Sequence, residues 1–155
     1  MQVEGNHVKI VPAPVIFLLF LALGFVLNWA FPSPSLMDTL GARAAGLFVI
    51  CGGLLVGFGA LRQMRRAQTS PNPHKPANAL VEAGVFQYTR NPLYLSMLII
   101  YVGIAICVNV LWLVLLFPFL IWSVQNWVVK PEEFYLERRF GDAYSQYKKR
   151  VRRWV

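Results

Sequence analysis

The sequence predicts an all-α integral membrane protein. Four transmembrane helices are followed by a C-terminal amphipathic helical segment, all in one domain over residues 1–155. Three observations predict it. Of 155 residues, 57% are hydrophobic and only 14% are charged, where a soluble domain carries nearer to about 25% charge. The apolar residues fall in runs that meet the roughly 20 residues a bilayer crossing needs. The bases also partition by side: four spans gather Lys9, Arg62, Arg65, Arg66, Lys75, Arg90, Lys130 and every base after it on one face and leave Arg43 opposite. By the positive-inside rule both termini are then cytoplasmic, with a bacterial inner membrane as the expected location.

Taken in order, residues 1–11 are a short polar lead, and Pro12 and Pro14 precede the run Val15 to Phe31. No small-x-small cleavage site lies near Pro32 to Ser35, so this run is read as a retained span, about 14–31, rather than a signal peptide. Trp29 and Phe31 stand where an interfacial belt would have them. The second span, about 41–62, holds Gly46, Gly52, Gly53, Gly57 and Gly59. Its Gly53-x-x-x-Gly57 fits close helix packing, although glycine is frequent in membrane helices generally. Arg43 can snorkel at the outer end, and Arg62, Arg65 and Arg66 stop the span on the positive side.

The connector to Arg90 contains Pro71, Pro73 and Pro76, which limit helix. Its stretch Ala77 to Phe86 allows one short turn or re-entrant piece ended by Gly84. Asn91 suits an N-cap and Pro92 the first helical position, so a span starts at Pro92. Its N-terminal N–H groups, beside Arg90, can attract an anion. The apolar run to Val129 folds back at Val108-Asn109-Val110, giving spans of about 92–108 and 111–130. Trp112 reads as an anchor, Tyr101 as an interfacial tyrosine, and Pro118 as a kink.

In the tail, Pro131 can open a helix with Glu132 and Glu133 in its first turn, where the dipole favours carboxylates. Phe140-Gly141-Asp142 reads as a helix end, a glycine cap and a new N-cap. Leu136, Phe140, Tyr144, Tyr147 and Val151 form an apolar stripe bordered by Lys148, Lys149, Arg150, Arg152 and Arg153. Such a stripe predicts an amphipathic helix lying on anionic lipid. Two readings of the acidic pair stay open: a dipole-stabilised turn or salt bridge to Arg90 or Arg138, or a cavity that meets a cation.

Several classes are excluded or weakened. Cys51 and Cys107 lie in apolar runs without a C-x-x-C, which predicts buried free thiols. His7 and His74 are the only histidines, too few for a zinc or di-iron centre, so no metal is expected. No helix is both basic and free of the membrane, which argues against nucleic acid.

The combination NPHKP, LVEAGVFQYTRNPLY and PEEFYLERRFGDAYSQYKKRVRRW strongly resembles the isoprenylcysteine carboxyl methyltransferase and phospholipid methyltransferase superfamily. The usual pattern there reads roughly H-K-x-x-x-x-L-V-x-x-G-x-Y-x-x-x-R-H/N-P-x-Y, then after a helical hairpin E-E-x-x-L-x-x-x-F-G-x-x-Y-x-x-Y. The likeness covers about Thr69 to Trp154, the expected catalytic region. Asn91 stands where many members have histidine and Phe86 where tyrosine is common.

The resemblance implies S-adenosylmethionine bound at the cytoplasmic mouth, between the connector and the helix after the hairpin. His74, Lys75, Arg90 and Asn91 suit the cofactor carboxylate, and Glu132 or Glu133 its ammonium or ribose. Leu80, Val81, Tyr88 and Tyr94 would wall the adenine and the transfer site, with Gly84 among the binding residues. Arg90 and Glu133 are the catalytic candidates: Arg90 to orient a carboxylate acceptor, and Glu133 or His74 as the base for an amine or thiol. A lipophilic acceptor is expected, first a prenylcysteine-type carboxylate, with a phospholipid amine or small thiol as alternatives. A sterol-type NADPH reductase and a non-enzymatic membrane scaffold or small transporter are the readings of other classes. Membrane lipids are the other expected partners.

Overall fold

The computed structural model describes residues 11–35, 39–70 and 77–155; His74, Lys75 and the three connector prolines lie outside them. Six α-helices occur among the described residues: α1 (Ala13–Ala30), α2 (Leu40–Arg66), α3 (Pro92–Val108), α4 (Leu111–Val124), α5 (Lys130–Phe140) and α6 (Asp142–Arg150). A π-helical turn, Gln125–Val129, joins α4 to α5 without a break, so one helix runs from Leu111 to Phe140. Three helices among the described residues are long and apolar enough to cross a membrane: α1, α2 and the continuous Leu111–Phe140. At 17 residues α3 is shorter.

Each helix starts and stops for a local reason. Pro14 occupies the first turn of α1, where its missing N–H costs nothing. The Thr39 side chain accepts the Ala42 N–H at 3.1 Å to cap α2. Pro92 opens α3, and Asn109 closes it in the left-handed conformation, φ 54°. That turn folds the chain back where the polar interruption predicted. Trp112 Nε1 donates to the Phe31 carbonyl at 2.8 Å, tying the start of α4 to the end of α1.

The tightest pairing is α2 against α3. A Cβ placed on Gly46 would meet the Gly103 carbonyl oxygen and the Cys107 backbone nitrogen, both at 2.8 Å. One on Gly53 would meet the Ser96 carbonyl oxygen at 3.0 Å, and one on Gly103 the Ile50 backbone nitrogen at 2.9 Å. Without side chains at these points the two backbones approach directly, which is how membrane helices gain dispersion contact in a solvent as apolar as themselves. Gly52 has open space around it. On the other side, Leu113 and Leu120 of α4 are fully buried among Ile16, Phe17, Leu98 and Tyr101.

Several expectations are corrected. Tyr101 is no interfacial anchor: it is 1% exposed, donates to the Leu113 carbonyl at 3.2 Å and stacks on Phe117. Pro131 stands in the first turn of α5 with Glu132 and Glu133, as expected, but α5 continues α4 through the π turn rather than starting afresh. Gly84 does not end a turn but begins the 3-10 helix Gly84–Gln87, at φ +63°. Asp142 is the first residue of α6, with Gly141 as its cap position. Cys51 is free but exposed rather than buried.

The aromatic stripe of the tail is covered by protein. Tyr144, Tyr147 and Val151 are buried against Leu80, Leu136 and Phe140. Periodicity pairs an apolar stripe with an apolar partner but does not say which, and here the connector supplies it.

Gly46→Val should force α2 and α3 apart. Its unfolding temperature in detergent, followed by tryptophan fluorescence, is expected to fall by roughly 4–10 °C, the range for overpacking by about 1–3 kcal/mol. Gly52→Leu should leave it unchanged.

Candidate functional site

Proline chemistry sets the connector's last residues. Pro92 disfavours a helical Asn91, which adopts φ −127° and ψ 52°, so Thr89 to Asn91 stay outside any helix. Groups left free by that irregular stretch are taken by the C-terminal segment. The Arg90 N–H donates to the Arg152 carbonyl at 3.1 Å. Thr89 Oγ1 and Asn91 Nδ2 donate to the Arg153 carbonyl at 3.1 and 3.0 Å. Asn91 holds the N-cap position without making the cap hydrogen bond; its side chain is spent on the tail instead. Tyr147 adds a second clasp, its hydroxyl donating to the Phe86 carbonyl at 2.7 Å.

Pinned in this way, Arg153 points its guanidinium at Glu133. Nε and Nη2 donate to the two carboxylate oxygens at 3.0 and 2.8 Å, the forked geometry that makes such pairs strong. Arg90 Nη1 lies 3.1 Å from Glu133 Oε1, with both side chains about nine-tenths buried. That contact is Coulombic, since it lies off the N–H direction: Nη1 and Nε of Arg90 have no hydrogen-bond partner among the described residues. One carboxylate thus faces two guanidiniums, leaving an excess positive charge and an unused donor, Arg90 Nε, in a buried place.

Glu132 turns elsewhere. The Tyr94 hydroxyl donates to its Oε2 at 2.7 Å. Glu133 thus meets the connector and Glu132 meets α3, and the π turn before them sets the phase of the helix that carries both. Its defining bond is Lys130 N–H to the Gln125 carbonyl, and Trp154 Nε1 donates to Gln125 Oε1 at 3.2 Å. Tyr144, 1% exposed, completes the wall beside Arg90. Burial pushes its phenol up to about 12, Glu133 adding to the shift and the Arg90 charge opposing it; it stays protonated.

Of the sequence candidates, Arg90, Asn91, Tyr94, Glu132 and Glu133 come together. Leu80 packs instead with Tyr144 and Tyr147, and Val81 is half-buried. Tyr88 is 74% exposed. Gly84 is required by its backbone: a Cβ there would also strike Gln63. Glu133, read as a candidate base, is an ion-pair partner. Sequence reasoning missed Arg153, Thr89 and Tyr147. For Tyr147 a signal existed: a tyrosine in an otherwise apolar stripe brings a hydroxyl that needs a partner when buried.

The phospholipid methyltransferase family model matches residues 42–143. The chain belongs to that family. The match takes in α2, the connector, the hairpin and both glutamates, and stops before Arg153. Over 72 residues the chain is 35% identical to the protein-S-isoprenylcysteine O-methyltransferase of Schizosaccharomyces pombe, covering 46% of this chain and 30% of that protein. It is also 35% identical over 65 residues to an uncharacterized protein of Haemophilus influenzae, covering 41% of this chain and all of that one. The chain therefore spans less than a third of the fission-yeast relative. No solved structure matches it. Family membership and the three long apolar helices among the described residues mark an integral membrane protein of the phospholipid methyltransferase family.

For this family member, Glu133→Gln should strand two guanidiniums, one of them deeply buried. Stability is expected to fall by about 3 kcal/mol, the scale for breaking a buried pair. Arg153→Gln should cost nearer to about 1 kcal/mol, because Arg153 is partly solvated and Arg90 still faces the carboxylate. Denaturant melts in detergent check both.

Proposed function

We propose that this methyltransferase uses S-adenosylmethionine and methylates a lipophilic acceptor at the cytoplasmic membrane face, with a prenylcysteine-type carboxylate as the acceptor. In this reading α3 is the fourth span, since 17 residues is the lower end of what crosses a bilayer, and both termini are cytoplasmic. The observation that carries it is the buried Arg90 guanidinium, with Nε unpartnered, one residue pair away from a carboxylate held by Tyr94.

The residues fit the cofactor. Arg90 would hold its carboxylate, for which the excess positive charge around Glu133 is suited. Glu132 would take the ammonium or ribose hydroxyls, and Tyr94 fixes the rotamer in which it does so. Asn91 and Thr89 act through the C-terminal segment, keeping Arg153, and hence Glu133 and Arg90, in place. The bound cofactor supplies an electrophilic methyl on a sulfonium. The protein's part is then alignment and exclusion of water. An amine or thiol acceptor needs a base, whereas a carboxylate is already ionised. With Glu133 committed to two arginines, the ionised acceptor is the better fit.

Calorimetry on the detergent-purified chain should show binding of S-adenosylhomocysteine and none of NADPH; the reverse would overturn the reading in favour of a reductase. Glu132→Gln should weaken the binding about tenfold to a hundredfold, the range for hydrogen bonds to a charged group. With radiolabelled cofactor, label is expected on a prenylcysteine analogue rather than on phosphatidylethanolamine or a small thiol.

A further inference from the structure

Away from the glutamates, α1, α2 and α3 leave a trough of about 870 Å³ between them. Pro14, Gly57, Phe58, Leu61, Met97 and Ile100 line it, and its wall is almost wholly apolar. At the Leu61 end a second cavity of about 390 Å³ is formed by Phe58 and Leu61 together with Arg62, Arg65 and Arg66. The two share Phe58 and Leu61, so a greasy channel runs directly into a cationic mouth.

The mouth is built by helix periodicity. Arg62, Arg65 and Arg66 stand at i, i+3 and i+4 on the last turns of α2, neighbours on one face. All three are exposed, and none makes an ion pair with a carboxylate among the described residues. A second copy of the chain would bring like charge against like charge. A free anion would use the mouth and leave the trough to water.

We propose that trough and mouth together bind one anionic phospholipid of the surrounding bilayer, an acyl chain lying along Gly53 to Leu61 and the phosphate held by Arg62, Arg65 and Arg66. Those residues of α2 rise about 12 Å, enough to seat much of an acyl chain beside the helix. Basic pockets between membrane helices at the cytoplasmic boundary are suited to such head groups, each base near the surface adding favourably. The site is separate from Arg90 and Glu133 and touches the candidate site only through Tyr94, whose ring lines the trough. It does not depend on the identity of the methyl donor.

The test uses the full chain, reconstituted in phosphatidylcholine bilayers with a minor fraction of phosphatidylglycerol and then released for native mass spectrometry. One phosphatidylglycerol should be retained per chain in preference to phosphatidylcholine. Arg62→Gln/Arg65→Gln/Arg66→Gln should lower that retention at least about tenfold. Glutamine keeps helix propensity, and the single Arg65→Gln, expected to be intermediate, serves should the triple variant unfold. Arg138→Gln/Lys149→Gln, which removes two exposed bases elsewhere, should retain lipid as the unsubstituted chain does. Equal retention of both lipids, an equal loss in that control, or displacement by millimolar inorganic phosphate would each overturn the proposal. Displacement one for one by a prenylcysteine analogue would overturn it too, making the trough the acceptor's.

Discussion

Glu133 holds three separated pieces of chain to one another. It leaves α5, meets Arg90 from the connector, and takes both nitrogens of a fork from Arg153 near the C-terminus. Burying a carboxylate among apolar helices is unfavourable unless it is paired and hydrogen-bonded. Supplying that pairing forces the connector and the tail to converge. Every other contact at this end is consistent with the same convergence: the Arg90–Arg152 backbone bond, the two side-chain donors on the Arg153 carbonyl, and the Tyr147 clasp on Phe86. The ion cluster also explains why neighbouring glutamates differ in role. Glu133 is saturated by cations, whereas Glu132 has a single neutral donor among the described residues, Tyr94, and keeps acceptor capacity for a ligand.

How much of this was legible in the chain follows from which signals are local. Three long apolar helices, the Asn109 turn and the Pro92 start could be read because each depends on a few adjacent residues and on hydropathy. The π turn at Gln125–Val129 could not. No local signal marks the inserted residue that carries α4 into α5 as one helix. The tail stripe failed for another reason. Lipid and a protein groove reward the same three-to-four spacing, and the tyrosine hydroxyls were the sole local sign that polar partners waited beneath.

The site itself was half legible. Arg90, Asn91, Tyr94 and the two glutamates stand in patterned stretches whose chemistry points to an anion and a cation held together. Arg153 stands among Arg150, Arg152, Lys148 and Lys149, where any one base looks like another. What distinguishes it is the backbone placement of its carbonyl between Thr89 and Asn91, a long-range fact. Tyr88 shows the converse: its position in a motif suggested a wall, and its ring lies in the open.

The arginines of this end therefore divide into two populations with different physics. Arg62, Arg65 and Arg66 are exposed, unpaired with acids among the described residues, and screened by water and salt. Arg90 is buried against a carboxylate it must share, so its charge is felt at short range and is only partly cancelled. A small anion gains little lasting advantage at the first set unless an apolar anchor accompanies it, and the trough offers such an anchor. At Arg90 the desolvated surroundings strengthen a charge-assisted bond without any tail. Two ligand chemistries can thus be separated on one face of a small bundle by burial alone, with Tyr94 standing where the apolar trough meets the acidic side of the site.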